Sequence, residues 1–302
     1  LVGVAGAACL GPAAMALGQD LVHKAAPQRR PVMIYNATIH PVDAPVIENG
    51  FVMFTDGRVS GLGTVGEQFN VEKNKADGWE MVDAAGKHVY PGLIAAYTQI
   101  GLTEVSAARA TLDLTEVGQA TPEVRAGVAV NPDSTLIPVT RSNGVLIAGV
   151  FPVSNISGQV TVFDGPGGII PGRAAVMRMD GWTWEQMAIS IDAGLAVSWP
   201  GMRPVNAWWM NRGADEQRRE SERTLNTIER LFDDAAAYRG AIAADASHPR
   251  DLRFDAMSGV LPGDGQRPVF ILANDYDQIV AAIGFGNRHK LRVVIVGGMD
   301  AH

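Results

Sequence analysis

The chain has 302 residues and a formal net charge of −7, and 47% of its residues are hydrophobic while 19% are charged. This length suits one large domain or two medium ones, and the apolar fraction predicts a large packed core. The acidic balance and the lack of a long basic run in the sequence argue against a nucleic-acid partner, because such surfaces need clustered lysines and arginines.

The first 18 residues carry no charged side chain and are rich in Ala, Gly, Val and Leu. They end in Ala16-Leu17-Gly18, with small residues where a signal peptidase cleaves, so residues 1–18 are predicted to be a secretory signal peptide and residues 19–30 a polar linker. An uncleaved anchor or a buried helix is the alternative, and Gly6-Ala7-Ala8-Cys9 is a weaker match to a lipidation sequence.

Cleavage of this segment has two consequences for the mature protein. It removes Cys9, the only cysteine, so neither a disulfide nor a thiol nucleophile is expected. It also predicts an exported protein, periplasmic or extracellular, whose mature chain has no integral membrane span.

The segment over residues 31–88 alternates short apolar runs with glycine-containing turns. A strand is predicted over residues 31–39. Residues 51–54 and 58–62 flank Asp56-Gly57, and an Asp-Gly pair between two apolar runs predicts a β-hairpin.

The stretch from Val89 to Leu102 reads Val-Tyr-Pro-Gly-Leu-Ile-Ala-Ala-Tyr-Thr-Gln-Ile-Gly-Leu. It resembles the first barrel strand of the amidohydrolase superfamily, in which Pro-Gly-Leu/Phe-Ile/Val is followed by Asp-x-His-x-His-x-Gly. Tyr97 and Gln99 stand where that strand has its two histidines, and Ala95 stands where it has the aspartate. Side chains two apart on a strand point to one face, so Tyr97 and Gln99 keep the direction of the metal ligands but not their chemistry.

The central region holds a predicted helix and a predicted strand. The helix is expected to start at Asn131-Pro132, to be kinked or delayed by Pro138, and to stop at Ser142-Asn143-Gly144, with a strand over residues 145–150. The run from Arg141 to Gln159, with its Ser-Gly-Gln turn, resembles the imidazolonepropionase-like, exported branch of the superfamily. That resemblance implies that Gln159 lies in a loop facing the site.

The C-terminal third contains two clear patterns. Apolar residues at helical spacing predict a helix over residues 215–238 that is closed by Gly240. Two apolar strands, over residues 267–274 and 291–296, flank a helix predicted over residues 276–287, which is the pattern of a βαβ unit with parallel strands. In the superfamily both strands end at metal-binding histidines.

The resemblance implies an α/β fold, in which a small β-sandwich over residues 31–88 precedes a (β/α)8 TIM-type barrel over residues 89–302. A complete barrel needs about 250 residues, so this one is expected to be incomplete at its C-terminal end. Active sites of such barrels lie at the C-terminal ends of the strands. Six candidate pocket residues follow from this rule and from the resemblance: Tyr97, Gln99, Gln159, Leu272, Asn274 and Gly297.

The superfamily's metal centre has few counterparts in this sequence. The family uses one or two divalent metals, typically zinc, held by histidines, a carboxylated lysine and an aspartate. Leu272 and Gly297 replace two of the histidines, and no lysine lies between Lys87 and Lys290, where the bridging lysine would have to be. The histidines after Val89 have no partner at ligand spacing: His248, His289 and His302. No metal or other cofactor is therefore expected, and no catalytic residue is assigned.

Three hypotheses for the function follow. The resemblance implies a hydrolase acting on carbon–nitrogen bonds other than peptide bonds, with a degenerate metal site that can leave the protein inactive. The alternative is a non-catalytic, extracytoplasmic ligand-binding or scaffold protein on the same barrel, with a small polar ligand as its expected partner. The third is a subunit accompanied by an intact homologous domain. Fold alone does not decide among them.

Overall fold

The structure is a computed structural model that describes residue 24 and residues 28–105, 108–153, 168–206 and 213–302. The predicted signal peptide and Gln159 lie outside the described residues. Two β-sheets organise the described chain, one from its N-terminal part and one from the remainder. No helix among the described residues is long and apolar enough to cross a membrane.

Five strands form the N-terminal sheet: β1 (Val32–Ile39), β2 (Ile47–Thr55), β3 (Arg58–Thr64), β4 (Glu80–Asp83) and β5 (His88–Val89). The order is β3-β2-β1-β4, and β5 continues alongside β1. The first three strands are antiparallel, whereas β4 and β5 run parallel to β1. A short helix, α1 (Val71–Ala76), connects β3 to β4.

The predicted hairpin is confirmed as the turn between β2 and β3. Asp56 and Gly57 have φ values of 51° and 72°. Two consecutive positive φ values define the tight turn whose twist matches that of antiparallel strands. A sandwich needs a second layer, and the described residues of this region form one sheet, so the predicted β-sandwich is not confirmed.

Six strands form the second sheet: β6 (Leu93–Thr98), β7 (Val145–Val150), β8 (Gly172–Arg178), β9 (Ala188–Ser198), β10 (Val269–Ala273) and β11 (Val293–Gly297). They lie side by side in chain order. All of them run in one direction except β8, which is antiparallel to both of its neighbours. Side chains of β6 and β11 line the same small cavity, so the sheet curls toward a barrel.

The full (β/α)8 barrel is not confirmed. The first and last strands of the sheet, β6 and β11, each pair on one side only within the described chain. The sheet also contains the reversed strand β8, which the sequence did not predict. What the structure establishes is a mixed, barrel-like sheet with helices on its outer face.

Five helices accompany this sheet: α2 (Leu136–Ser142), α3 (Trp184–Met187), α4 (Ala214–Ala244), α5 (Leu252–Ser258) and α6 (Tyr276–His289). The largest core cluster joins α4, α5 and α6 to strands β9, β10 and β11, and Phe232, Phe285 and Ile271 are fully buried in it. Complete burial of one such side chain contributes about 1.5–3 kcal/mol. This layer holds the C-terminal half of the sheet in place.

The predicted βαβ unit is confirmed as β10, α6 and β11. Strands β10 and β11 pair in parallel, with Val269 opposite Val293. Helix α6 begins after Asp275, whose side chain accepts a hydrogen bond from Gln278 N, while the Gln278 side chain accepts one from Asp275 N. This reciprocal capping box satisfies two of the free N–H groups at the start of the helix.

Two predicted helix boundaries were wrong. Helix α2 begins at Leu136 rather than at Asn131-Pro132, because the Asn131 side chain accepts a hydrogen bond from Asp133 N and forms a turn. Pro138 then falls in the first helical turn, where its missing N–H costs nothing. Helix α4 continues through Gly240 to Ala244, because alanines follow the glycine and favour further helical turns.

Candidate functional site

The C-terminal ends of the parallel strands surround a small cavity of ≈ 20 Å³. Its walls include Tyr97, Phe151, Ser198, Phe270, Leu272 and Val296. A single water molecule needs roughly 10–15 Å³ of such space, and small-molecule sites usually have about 300–1,000 Å³. The cavity therefore accommodates one water molecule and no larger ligand.

Three aromatic rings fill the space between the strand ends. The Tyr97 and Phe151 ring centroids are 4.9 Å apart with a tilt of 46°, and Phe151 meets Phe270 edge-on at 5.0 Å. Such tilted and edge-on arrangements are the favourable ones for aromatic pairs. Phe151 is only 4% exposed and also packs against Ala174 and Ala196. The rings link β6, the end of β7 and β10 into one apolar cluster.

Tyr97 reaches this cluster because β6 is irregular near its end. Ala95 is opposite Ala148 and Thr98 is opposite Val150, so β6 holds one residue more than β7 over this interval. A bulge of this kind turns the following side chains. Burial raises the pKa of the Tyr97 phenol, and the neighbouring Gln99 side chain acts in the opposite direction without reversing the shift. Tyr97 is thus a neutral phenol at physiological pH.

Gln99 lies one residue beyond β6. Its Nε2 atom is buried and has no hydrogen-bond partner among the described residues, although the Gln99 side chain lies near enough to Tyr97 to influence the pKa of its phenol. A buried amide hydrogen without a partner costs about 1–3 kcal/mol.

Asn274 and Gly297 contact each other just beyond the cavity. Gly297 has a φ of +97°, and a Cβ atom at this position would lie 2.1 Å from Asn274 Oδ1. A side chain at residue 297 therefore requires both a strained backbone and the displacement of Asn274. The position at which the superfamily has a histidine cannot hold one in this geometry.

Gln278 is a structural residue of the site that the sequence analysis missed. Its Nε2 donates to Trp199 O at 3.3 Å and Pro200 O at 3.2 Å, and its Oε1 accepts from Asn274 N at 2.9 Å and Asp275 N at 3.2 Å. These four bonds satisfy the buried amide completely and join the ends of β9 and β10 to the start of α6. The spacing Asp-x-x-Gln was the sequence signal for it.

The six predicted pocket residues are therefore only partly brought together. Tyr97 and Leu272 line the cavity, and Gln99 lies beside Tyr97. Asn274 and Gly297 contact each other, and Gln159 lies outside the described residues. Phe151, Ser198 and Phe270 are wall residues that were not predicted.

The residues at the strand ends do not fit a zinc centre. Zinc sites in proteins use imidazole, thiolate or carboxylate ligands. The side chains at or beside the cavity are a neutral phenol, amides, a hydroxyl and apolar groups, and the carboxylates that follow β10 and β11, Asp275 and Asp300, accept hydrogen bonds at the start of α6. Among the residues that the structure describes, no three His, Cys, Asp or Glu side chains lie close enough together to hold a metal ion. His289 instead contacts Glu229 at 2.5 Å, between helices α4 and α6.

A second, larger cleft lies at the opposite end of β6. It has a volume of ≈ 770 Å³ and is bordered by the end of β1, the segment 90–94 and the start of β7. Tyr90, Leu93 and Ile94 line it and are 63%, 61% and 66% exposed. The cleft is open, mostly apolar, and has the volume of a small-molecule site.

The fold and its strand ends define a class: an α/β protein with a barrel-like sheet whose mouth is filled by aromatic side chains. No family model matches the sequence, and no curated protein matches it. The fold is similar to that of an amidohydrolase from Thermotoga maritima MSB8, with a TM-score of 0.70 and 21% identity over 89% of this chain. The chain spans 65% of the length of that protein. The fold is thus amidohydrolase-like.

Two further solved structures are much less similar. A prolidase in complex with N-methylphosphonate-L-proline has a TM-score of 0.27 at 13% identity, covering 47% of this chain and 32% of that chain. An uncharacterized protein has a TM-score of 0.26 at 12% identity, with the same coverage. Similarity at this level carries no argument about the present chain.

Proposed function

We propose that this protein belongs among the amidohydrolase-like hydrolases by fold, nominally those of carbon–nitrogen bonds other than peptide bonds, but has a degenerate metal site in the described part of the chain and is inactive as a hydrolase. The assignment to the amidohydrolase-like hydrolases is supported by the similarity of the fold to that of the Thermotoga amidohydrolase. The degenerate metal site is supported by the aromatic cluster of Tyr97, Phe151 and Phe270 at the strand ends. That cluster is the single observation on which the proposal depends most.

The residue types at the ligand positions support the same proposal. Tyr97 and Gln99 replace the two histidines of the first strand, and Leu272 and Gly297 replace the two later ones. The absence of any lysine between Lys87 and Lys290 removes the bridging ligand without any assumption about alignment. Hydrolysis of an amide by this fold depends on a metal that polarises the carbonyl and activates water. The described residues offer no donor set for that step.

We also propose that the six-stranded sheet is part of a (β/α)8 barrel of the imidazolonepropionase-like branch. In the part of the chain that the structure describes, β6 and β11 each pair on one side only, which supports the barrel, because unpaired edges of an apolar sheet are normally covered; the branch is proposed on the resemblance of residues 141–159 alone. The similarity of the fold to that of the Thermotoga amidohydrolase, with a TM-score of 0.70, gives further support. Export is proposed on the uncharged residues 1–18, and N-terminal sequencing of secreted protein starting at Gln19 would support it.

The alternative is a non-catalytic ligand-binding or scaffold protein on the same fold. The open apolar cleft of ≈ 770 Å³ beside β6 favours it, because that volume lies in the range of small-molecule sites whereas the ≈ 20 Å³ cavity at the strand ends does not. In this alternative the barrel has lost its reaction and retains a binding surface.

Hydrolysis assays on the full-length mature protein test the proposal. The protein is expressed with zinc in the medium and assayed with cyclic and acyclic non-peptide amides, before and after treatment with a chelator. We expect rates equal to those of buffer alone, with or without the chelator. Chelator-sensitive hydrolysis that is lost in a Tyr97→Ala variant would contradict the degenerate site and place a reaction at the strand ends.

A further inference from the structure

Two histidines are brought together where the N-terminal sheet meets the barrel-like sheet. The end of β1 runs parallel to β5, with Thr38 opposite His88. Backbone hydrogen bonds fix this alignment: Thr38 N donates to Lys87 O at 3.0 Å, and His40 N donates to Val89 O at 2.9 Å. The sheet thus positions His40 and His88 as neighbours on adjacent strands.

The two imidazole rings are in direct contact. His40 Nε2 and His88 Nδ1 are 2.9 Å apart, so one nitrogen donates a hydrogen bond to the other. The His40 ring also stacks on Tyr90, with a centroid distance of 4.3 Å and planes only 8° apart. Stacking holds the His40 ring in place, whereas the exposed His88 ring lies farther from Tyr90, with a centroid distance of 6.3 Å.

We propose that His40 and His88 form a two-histidine site for a divalent transition-metal ion, with Cu²⁺ preferred over Ni²⁺ and Zn²⁺. Imidazole is a common ligand for all three ions, and copper generally binds nitrogen sites most tightly. Each ring binds as the neutral imidazole through a lone pair. The ring proton that now bridges the pair moves, by exchange with water, to the outer nitrogen of its own ring.

The distance between the two nitrogens agrees with this preference. Metal–nitrogen bonds of about 2.0–2.1 Å at a right angle separate the two nitrogens by about 2.9 Å, whereas tetrahedral ligands at the same bond length are about 3.3–3.4 Å apart. In the metal-free pair the two nitrogens are 2.9 Å apart because they share a hydrogen bond, so only a small movement is needed to reach the right-angled arrangement. Right-angled ligands are typical of tetragonal Cu²⁺ and Ni²⁺ sites. Rotation of the exposed His88 ring directs its lone pair toward the shared ion.

The remaining coordination positions belong to water or to a bound ligand. The described residues supply no third His, Cys, Asp or Glu to this pair. His40 and Tyr90 line the ≈ 770 Å³ cleft, so the open positions of the metal are accessible from it. The site lies at the start of β6 and is separate from the strand ends, where the amidohydrolase metal centre would be.

Copper titration of the full-length, metal-free protein without a histidine tag tests this site. The titration is followed by calorimetry with glycine as a competing ligand, and by electron paramagnetic resonance of the bound Cu²⁺. We expect one equivalent of Cu²⁺ with nitrogen hyperfine structure, and weaker binding of Ni²⁺ and Zn²⁺. Acid weakens the binding because protons compete for the imidazoles.

His88→Asn separates a metal-binding role from a structural one. The amide of asparagine keeps a hydrogen bond to His40 but is a poor copper ligand, so the fold is retained while Cu²⁺ binding weakens by at least roughly tenfold. The matched control is His248→Asn, which changes another exposed histidine and leaves the affinity unchanged. Unchanged copper affinity in His88→Asn, an equal loss in His248→Asn, or no binding to the wild type would overturn the proposal. All of these outcomes concern the two-histidine site, so this proposal and the degenerate metal site at the strand ends can fail independently of each other.

Discussion

At the C-terminal ends of the strands the cavity has a volume of ≈ 20 Å³, whereas the cleft at the start of β6 has ≈ 770 Å³. The first is closed by Tyr97, Phe151 and Phe270. The second is bordered by exposed side chains such as Leu93 and Ile94. In an amidohydrolase-like fold the strand ends are where chemistry is expected. Here they are packed around the buried Phe151, with Tyr97 at the 39% exposed edge of the cluster, and the larger cleft lies at the other end of the same strand.

The difference has a simple physical origin. Aromatic rings at the strand ends contact one another across the curled sheet, and the burial of Phe151 between Tyr97 and Phe270 contributes to stability. At the start of β6 the apolar residues face outward with nothing described above them. A filled mouth lowers the free energy of the folded state and leaves no space for a substrate.

Among the variants that test this contrast, removal of the Phe151 side chain is expected to change the free energy of unfolding most. Phe151→Ala should lower the free energy of unfolding by about 3–5 kcal/mol, since the ring is buried and contacts both Tyr97 and Phe270. Ile94→Ala in the open cleft is the matched control, and it should change stability by less than about 0.5 kcal/mol. Urea denaturation of both variants measures this. Equal, small effects would mean that the mouth is not a packed core.

A substitution of Gly297 tests the same region, with a smaller expected loss of stability. Gly297→Ala should cost about 1–3 kcal/mol of stability, because the backbone has a φ of +97° and the new Cβ approaches Asn274 Oδ1. In an Asn274→Ala background the same substitution should cost less, since the collision is removed and only the backbone strain remains. Gly201→Ala serves as the control, with open space around the residue. Additive costs in the double variant would contradict the contact between Asn274 and Gly297.

The smallest expected effect concerns the Tyr97 phenol at alkaline pH. Burial raises its pKa above the ordinary value of 10.0, so the folded protein holds this proton more tightly than the unfolded chain. The stabilisation is complete below pH 10 and is lost as the pH rises through the folded-state pKa. Tyr97→Phe should therefore lose less stability than the wild type between neutral and alkaline pH. Tyr276→Phe, at an exposed position, is the control, and identical alkaline profiles for wild type and Tyr97→Phe would contradict the shift.

The sequence predicted local structure well where one dipeptide or one periodicity decides it. The Asp56-Gly57 turn and the unit of β10, α6 and β11 were both found as predicted. Strand β8 was missed because it holds several small residues and two arginines and only one β-branched residue, Val176. Helix α4 extended beyond Gly240 because one glycine in a helix costs only about 1 kcal/mol.

The site was less predictable than the fold. The resemblance to the superfamily's strands placed Tyr97 and Leu272 at the strand ends, and both line the cavity there. The contact between Phe151 and Phe270 depends on the curvature of the sheet, and the position of Tyr97 depends on the bulge in β6. Neither feature leaves a local pattern in the sequence. The His40 and His88 pair was missed for the same reason, since 47 residues lie between two side chains that touch.

Elemental analysis of metal bound to the full-length mature protein is the most direct test of the filled strand ends. The protein should carry His40→Gln and His88→Asn, so that the two-histidine pair contributes nothing, and zinc should be supplied during expression. A degenerate site predicts no stoichiometric zinc or other divalent metal after gel filtration. One or two tightly held equivalents would contradict it, and would mean that ligands other than those described here rebuild a metal centre.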